Sequence, residues 1–586
     1  MKARNLHFIP AFCVLSAASI LSTHAQEPTT AANSPKKNAT HEILVQHKLL
    51  HFPVKKGAKK SVVTINVDGA EIRRFDIELA EENPEWWAPM DVSSWAGKTL
   101  SIVASGLPEG SKVLETLRQS DTLLDSENLY QETLRPQLQF SSKRGWLNDP
   151  NGLVFYNNEY HLFYQHNPYG WNWGNMHWGH ATSPDLVRWT EHGDVLSPDS
   201  SGAMFSGSAV VDWDNTSGFG KDGKPPLVLI FTAQGNPINQ CVAYSTDGRT
   251  FTKYEGNPVI HSIGTGNRDP KTIWHAPTKQ WVTVLYVALP NPTPMKDANG
   301  KWCQKHSVHF FTSPNLRDWT LASVTDGGID GDKFLYECPD FFELALDGDP
   351  TKKRWILMGA TTEYALGSFD GKAFSMETPK IQGHCGRGFY APQTFSDTAD
   401  GRRIQIGWHQ APSPGMAFNQ LQTFPSELKL VTTPEGPRLA WSPVREIESL
   451  RTKTIEAPAM DLSEGDANPL PEVRGELLEV RANFTPQPDS ITQFKVRGVD
   501  VQYDAAQQQL SVAGVKTKAP LRNGRQNLII LMDRTNITVW ASDGLAYAPV
   551  PVIAKPEAIG VEVSVKGGAV HFEKLAVHEL KSIWNR

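Results

Sequence analysis

From residue 60 onward, apolar and polar positions alternate. Val63, Ile65 and Val67 are followed, after Asp68-Gly69, by Phe75, Ile77 and Leu79. A period of two places each set on one face of a pleated strand, and Asp-Gly between two such runs is a hairpin turn. Strand-like sequence continues through Leu100, Ile102 and Val103. Residues 42–130 therefore predict a small β-sandwich. Trp86 and Trp87 within it are either part of its core or of a contact with the next domain, or a platform on which a sugar ring stacks.

The middle of the chain repeats. Ser, a spacer, Asp or Asn, and then an aromatic recur at Ser183–Trp189, Ser245–Phe251, Ser313–Trp319 and Ser368–Phe374, at intervals of 62, 68 and 55 residues. Apolar runs return at a similar interval: 161–165, 227–232, 281–287, 355–359 and 403–408. Five such strands, each preceded by another, predict a five-bladed propeller of four-stranded blades over 135–445. After Pro443 the aromatic unit disappears and alternation resumes at 475–484, 491–496, 528–539 and 561–565, which predicts a C-terminal β-sandwich over 446–586. The fold class is all-β: a five-bladed β-propeller, a C-terminal β-sandwich and an additional small N-terminal one.

Composition narrows the partners. The length of 586 residues, at about 150 per domain, accommodates these three bodies, and the net charge of −6 offers no basic footprint for nucleic acid or anionic membrane. Residues 1–25 carry Lys2 and Arg4, then an apolar stretch from Phe8 to Leu21 and small residues before a cleavage position after Ala25. This is the pattern of a secretory signal, followed by a polar linker over 26–41, and it places the mature chain outside the cytoplasm, secreted or periplasmic. No other segment is apolar enough to span a bilayer. Of five cysteines, Cys13 leaves with the signal, and Cys241, Cys303, Cys338 and Cys385 show neither a disulfide framework nor a zinc spacing.

The blades open on comparable segments: Asn148-Asp149-Pro150, Ser206-Gly207-Ser208, Arg268-Asp269-Pro270, Glu337-Cys338-Pro339 and Tyr390-Ala391-Pro392. Opening segments lie nearest the axis of a propeller, so three carboxylates converge at one end of its channel, where like charges raise one another's pKa. Two carboxylates flanking a glycosidic bond can hydrolyse it. Trp146, Trp171, Trp173, Trp178, Phe205 and Trp408 supply flat faces for a sugar, and Asn148, Gln165 and Arg268 supply directional hydrogen bonds. Asp326, Asp330, Gly331 and Glu337 match four positions of a calcium loop, but Gly328 stands at its third and the flanks are not helical. His177 and His180 lack a third ligand nearby and are expected to be structural.

These motifs, with Leu162–Gln165, Trp173-Gly174, His177–His180, Phe205–Ser208, Arg268–Lys271 and Glu337–Asp340, resemble glycoside hydrolase family 32, the invertases, inulinases and levanases. The C-terminal part is also similar, through Asp533-Arg534 and 579–584, although 536–538 departs from the family's acidic pattern there. The resemblance implies a secreted enzyme that releases fructose with retention from the nonreducing end of β-fructans, levan or inulin, with sucrose a further candidate substrate. Asp149 would be the nucleophile, Glu337 the acid and then base, with a pKa raised by its neighbours, and Asp269 the stabiliser of the transition state. Asn148, Gln165, Trp173, Phe205, Ser206, Arg268 and Trp408 would bind the sugar. The family needs no metal and no cofactor. An endo-acting levanase or inulinase, a fructosyltransferase, an inverting five-bladed arabinan- or xylan-cleaving enzyme and a non-catalytic fructan-binding protein stay open as alternatives. The sequence leaves the oligomeric state open.

Overall fold

The computed structural model describes residues 38–264 and 266–584. The expected signal and most of the linker lie outside them. The first strand, Ala39–Leu44, already occupies the end of the span expected to be linker.

Two sheets follow, one with four strands and one with three (Leu49–Val54, Trp86–Asp91 and Arg118–Ser120). The alternation read from the sequence is their packing rule: Val63, Ile65, Phe75 and Ile77 point between the sheets and are buried there with Leu50 and Phe52. Trp86 and Trp87 are both buried, Trp87 beneath the Arg118 guanidinium at 4.4 Å. They are core residues, and the sugar-platform alternative fails for lack of an open face.

Five antiparallel blades of four strands come next. Their innermost strands are Gly145–Tyr156, Ala203–Val211, Gly266–His275, Asp340–Leu346 and Phe389–Thr394, here called blades I to V. The recurring apolar runs are the second strand of each blade, such as Leu227–Gln234 and Gln280–Pro290. The Ser-x-Asp/Asn units are turns between third and fourth strands. In blade II, Asp247 Oδ1 accepts the Ser245 hydroxyl at 2.7 Å and the amides of Arg249 and Thr250 at 2.8 Å each. A short side chain that ties its own turn explains why the unit repeats without any chemistry attached to it. The ring closes where Phe418-Asn419 pairs in parallel with Gly145-Trp146 and where Ser396 exchanges backbone hydrogen bonds with Leu153 and Phe155.

Around the channel, polar side chains bridge the innermost strands, both between neighbouring blades and across the axis. Ser208 of blade II accepts the Thr272 amide of blade III at 2.9 Å. Lys271 of blade III pairs with Asp340 of blade IV at 3.1 Å and donates to the Thr394 carbonyl of blade V at 2.7 Å. Gln393 of blade V donates to the Gly207 carbonyl of blade II at 2.9 Å.

The C-terminal sandwich has a seven-stranded and a five-stranded sheet around a core that includes Val480, Phe494, Val501, Ile530 and Phe572. It grips the segment that enters the propeller. The buried Asp533 carboxylate accepts the amides of Gln137 and Leu138 at 2.9 Å, and Trp584 stacks on Tyr130 with ring centroids 4.1 Å apart. Among the described residues, no helix is long and apolar enough to cross a membrane.

The Lys271–Asp340 pair is almost fully buried, with side chains 2% and 0% exposed. Lys271→Met removes the ammonium from the buried Asp340 carboxylate, which among the described residues keeps only the Phe341 amide and the Thr394 hydroxyl as hydrogen-bond donors, and we expect it to cost about 3–5 kcal/mol in denaturant unfolding. The double variant Lys271→Met/Asp340→Asn, which removes both charges, should lose less. Equal losses would contradict the pairing account.

Candidate active site

The carboxylates sit where the ladders of the innermost strands are interrupted. Pairing shifts register between Leu147 and Pro150 in blade I, between Phe205 and Gly207 in blade II, between Arg268 and Lys271 in blade III and between Tyr390 and Gln393 in blade V. In blade IV the strand begins only at Asp340, directly after Glu337-Cys338-Pro339. A bulge leaves one residue out of the alternation and re-aims its side chain. Here that turns Asp149, Ser206 and Asp269 toward the channel mouth, while Tyr390 stays paired with Trp408 at the edge of its bulge. The backbone is left-handed at Asp269 (φ 64°), Glu337 (φ 54°) and Cys338 (φ 39°). Each such residue costs on the order of 1–3 kcal/mol, a cost that persists where the surrounding structure fixes the conformation.

Cys338 is the hub of the three carboxylates. Its backbone amide donates to Asp269 Oδ2 at 3.0 Å, its thiol lies 3.6 Å from Asp149 Oδ2, and Glu337 precedes it in the chain. Asp149 is further held by the Ser206 hydroxyl, which donates to Oδ2 at 2.6 Å, and by the Asn148 amide, which donates to Oδ1 at 3.0 Å. Glu337 accepts from Arg268 Nη2 on Oε1 at 2.6 Å and from the Tyr390 hydroxyl on Oε2 at 2.5 Å. Arg268 also lies 3.8 Å from Asp269, and its guanidinium rests 4.8 Å from the Tyr286 ring centroid.

Burial raises Asp149 from its ordinary range and the Glu337 charge adds to that, while the hydrogen bonds from Ser206 and Asn148 oppose it. Burial drives Asp269 up to about 7 against the pull of Arg268, with the charges of Glu337 and Asp149 adding. The Cys338 thiol is pushed well up by burial and by the same carboxylates, so it stays neutral and donates. Groups this close titrate as a set.

The flat faces expected from the sequence divide in two. Trp178 is fully buried, its indole N–H donating to the Phe205 carbonyl at 2.9 Å, and Trp171 is buried under Lys56. Neither is open to a ligand. Trp173 is 47% exposed and stands edge-on to Phe205, with centroids 5.8 Å apart. Across the mouth, Trp146 and Tyr390 each meet Trp408 edge to face, at 5.8 and 6.3 Å. Gln165 is buried, and its amide nitrogen donates to the Met204 carbonyl at 2.9 Å, bridging blades I and II. Asn148 accepts the Trp146 indole N–H at 2.9 Å while donating to Asp149. Tyr390 and Cys338 were not expected as site residues. Their signal was positional: both belong to blade-opening segments in register with Asn148-Asp149-Pro150.

The metal decoys have other partners. Asp330 meets His306 at 3.0 Å, His180 meets His161 at 3.0 Å, and His177 Nδ1 donates to the Asn175 carbonyl. Among the described residues, no cluster of His, Cys, Asp and Glu is arranged to hold a metal ion.

Residues 139–443 match the family model described as "Glycosyl hydrolases family 32 N-terminal domain". The chain is 37% identical over 522 residues to a levanase of Bacillus subtilis, covering 80% of this chain and 74% of that one. It is 30% identical over 543 residues to an extracellular exo-inulinase of Aspergillus ficuum, covering 78% and 96%. Among solved structures, the exo-inulinase of Aspergillus awamori is similar with a TM-score of 0.66 at 27% identity, covering 78% of this chain and all of that one. A beta-fructofuranosidase of Schwanniomyces occidentalis, at 24% identity and a TM-score of 0.67, covering 78% of this chain and 99% of that one, shares the fold.

The Ser206 hydrogen bond favours ionised Asp149, so its removal raises the Asp149 pKa further. Ser206→Ala should move the acidic limb of the pH–rate profile to higher pH and lower kcat/KM by roughly tenfold, as expected for a hydrogen bond to a charged group. An unmoved limb would separate Asp149 ionisation from the limb.

Proposed function

The chain belongs to glycoside hydrolase family 32, and from that membership we propose that it is a secreted exo-acting β-fructosidase. Its substrates are levan- or inulin-type fructans, from which it releases terminal fructose with retention of configuration. The observation that carries the proposal is the gathering of Asp149, Asp269 and Glu337 around Cys338, each with a different set of partners. Support for the substrate class and for secretion comes from the levanase and the extracellular exo-inulinase among the relatives.

The roles are those that the family's motifs imply for these positions, and the partners of each carboxylate fit them. Asp149 carries a carboxylate whose orientation is fixed at both oxygens, by Asn148 and by Ser206, which suits a nucleophile. It attacks the anomeric carbon of a terminal fructosyl unit. The bond to the leaving oxygen breaks as Glu337 delivers a proton to it. Glu337 then takes a proton from water, the water oxygen attacks the same carbon, and the Asp149 ester is cleaved. Two inversions give net retention. Arg268 and Tyr390 fix the Glu337 carboxyl on both of its oxygens, and Tyr390 thereby acts as a positioning residue. Asp269, gripped by the Cys338 amide, binds sugar hydroxyls and stabilises the positive charge that develops on the ring. Trp146, Trp408, Phe205 and Trp173 wall the funnel, and Asn148 and Arg268 set the orientation of the bound unit. No step calls for a metal or an organic cofactor.

Asp149→Ala and Glu337→Ala should each lower turnover of fructan by at least about 10²–10⁴-fold while the thermal midpoint stays near that of the parent. Near-normal turnover in either would overturn the assignment. NMR of early reaction mixtures with levan and inulin should show β-configured fructose as the first product. Early α-fructose would exclude retention, and early oligosaccharides would exclude exo action.

A further inference from the structure

The family match begins at residue 139, and the exo-inulinase structure is covered completely by 78% of this chain. The N-terminal sandwich therefore lies outside the residues that the family model matches, and its contacts are the guide to its role. Besides Ala417, packed on its core, and Arg144, which donates to the Asp125 carbonyl at 2.7 Å, they engage residues 168–176 of the propeller, which join strands Glu159–Asn167 and His177–Ser183 of blade I.

Three side chains of this segment engage the sandwich. Tyr169 is buried within the sandwich core, its ring stacked on Phe75 with centroids 3.7 Å apart and planes 14° from parallel. The Trp171 ring lies under Lys56 Nζ at 3.5 Å. Asn175 exchanges two hydrogen bonds with the backbone of Asp76, accepting its amide at 3.0 Å and donating to its carbonyl at 2.8 Å. Between Trp171 and Asn175 stands Trp173, 47% exposed and edge-on to Phe205. Phe205 immediately precedes Ser206, the hydrogen-bond donor to Asp149. The anchors thus flank the one indole of the segment that is open to a ligand, and they come from a body that contributes no carboxylate to the site.

We propose that the N-terminal sandwich is a positioning element of the sugar site. It clamps the 168–176 segment on both sides of Trp173 and so presents that indole to a sugar ring at the rim of the funnel. Phe75, Asp76 and Lys56 act through Trp173 and set affinity for the fructan, while the chemistry at Asp149 and Glu337 proceeds unchanged. An aromatic side chain held in its binding orientation before the sugar arrives does not have to be ordered on binding, which is how a distant brace improves affinity. This inference rests on the proposed fructan-cleaving function, and hydrolysis of levan or inulin by the parent protein tests that function separately.

The test is a mutant cycle read as KM and kcat on fructan with the full chain. Tyr169→Ala and Lys56→Ala should each raise KM, Tyr169→Ala by about three- to tenfold, with kcat within about twofold of the parent. Tyr169→Phe keeps the stacked ring and should restore the parent KM. Trp173→Ala should raise KM as well, and Tyr169→Ala/Trp173→Ala should show no further rise, because both changes remove the same contact. Unchanged KM in Tyr169→Ala and Lys56→Ala, or a full additional rise in the double variant, would overturn the proposal. Should Tyr169→Ala fail to fold, Lys56→Ala, at an exposed position, carries the same cycle with Trp173→Ala. A parent protein that cleaves fructan together with unaffected variants would sink the brace alone.

Discussion

Lys271 and Asp340 face each other beside the propeller channel with almost no solvent contact, and the rest of the site depends on the strands they join. A charged pair placed in such surroundings contributes little net stability compared with apolar residues of the same size, but it tolerates few alternative arrangements. Together with Ser208–Thr272, Lys271–Thr394 and Gln393–Gly207, it links the innermost strands of blades II to V by side-chain bridges. Blades I and II are joined by Gln165 and by the Ser206–Asp149 bond itself. Asp269 lies two residues before Lys271 and Glu337 three residues before Asp340, so whatever fixes these strands around the axis also fixes the distances between the reactive groups.

That constraint explains how strained backbone persists at the mouth. Asp269, Glu337 and Cys338 occupy the left-handed region although none is glycine, and bulges interrupt the ladders beside the functional side chains of four blades. A regular strand would point alternate residues along the channel wall. The bulges and the left-handed turns bring three acids to one backbone amide and one thiol. Their mutual repulsion is countered locally by Arg268, Ser206, Asn148 and Tyr390, which is why each acid has its own chemical character despite sharing a pocket.

Much of this architecture was legible in the sequence because repetition carries it. The second strands of the blades, the Ser-x-Asp/Asn turns and the opening segments each recur, so the five-fold scaffold and the convergence of Asp149, Asp269 and Glu337 could be read from spacing alone. Individual aromatic residues could not be sorted in the same way. Trp171, Trp173 and Trp178 lie within eight residues of one another, yet one is exposed and two are buried, and the difference is set by Lys56 and by Phe205, which are distant in the chain. The position of Tyr390 in an opening segment places it at the mouth, but its importance comes from a hydroxyl 2.5 Å from Glu337, a tertiary contact that the repeat does not specify. The grip of the N-terminal sandwich on residues 168–176 is invisible for the same reason.

The central claim is that Asp149 attacks while Glu337 manages the proton, and it is tested most directly by trapping the intermediate. In Glu337→Gln, a fructosyl substrate with a good leaving group needs no acid to react, whereas the step that releases the enzyme lacks its base. Mass spectrometry of the quenched variant should find one fructosyl unit attached to the peptide that contains Asp149. An unmodified peptide, accompanied by turnover of that substrate to α-fructose, would contradict the account.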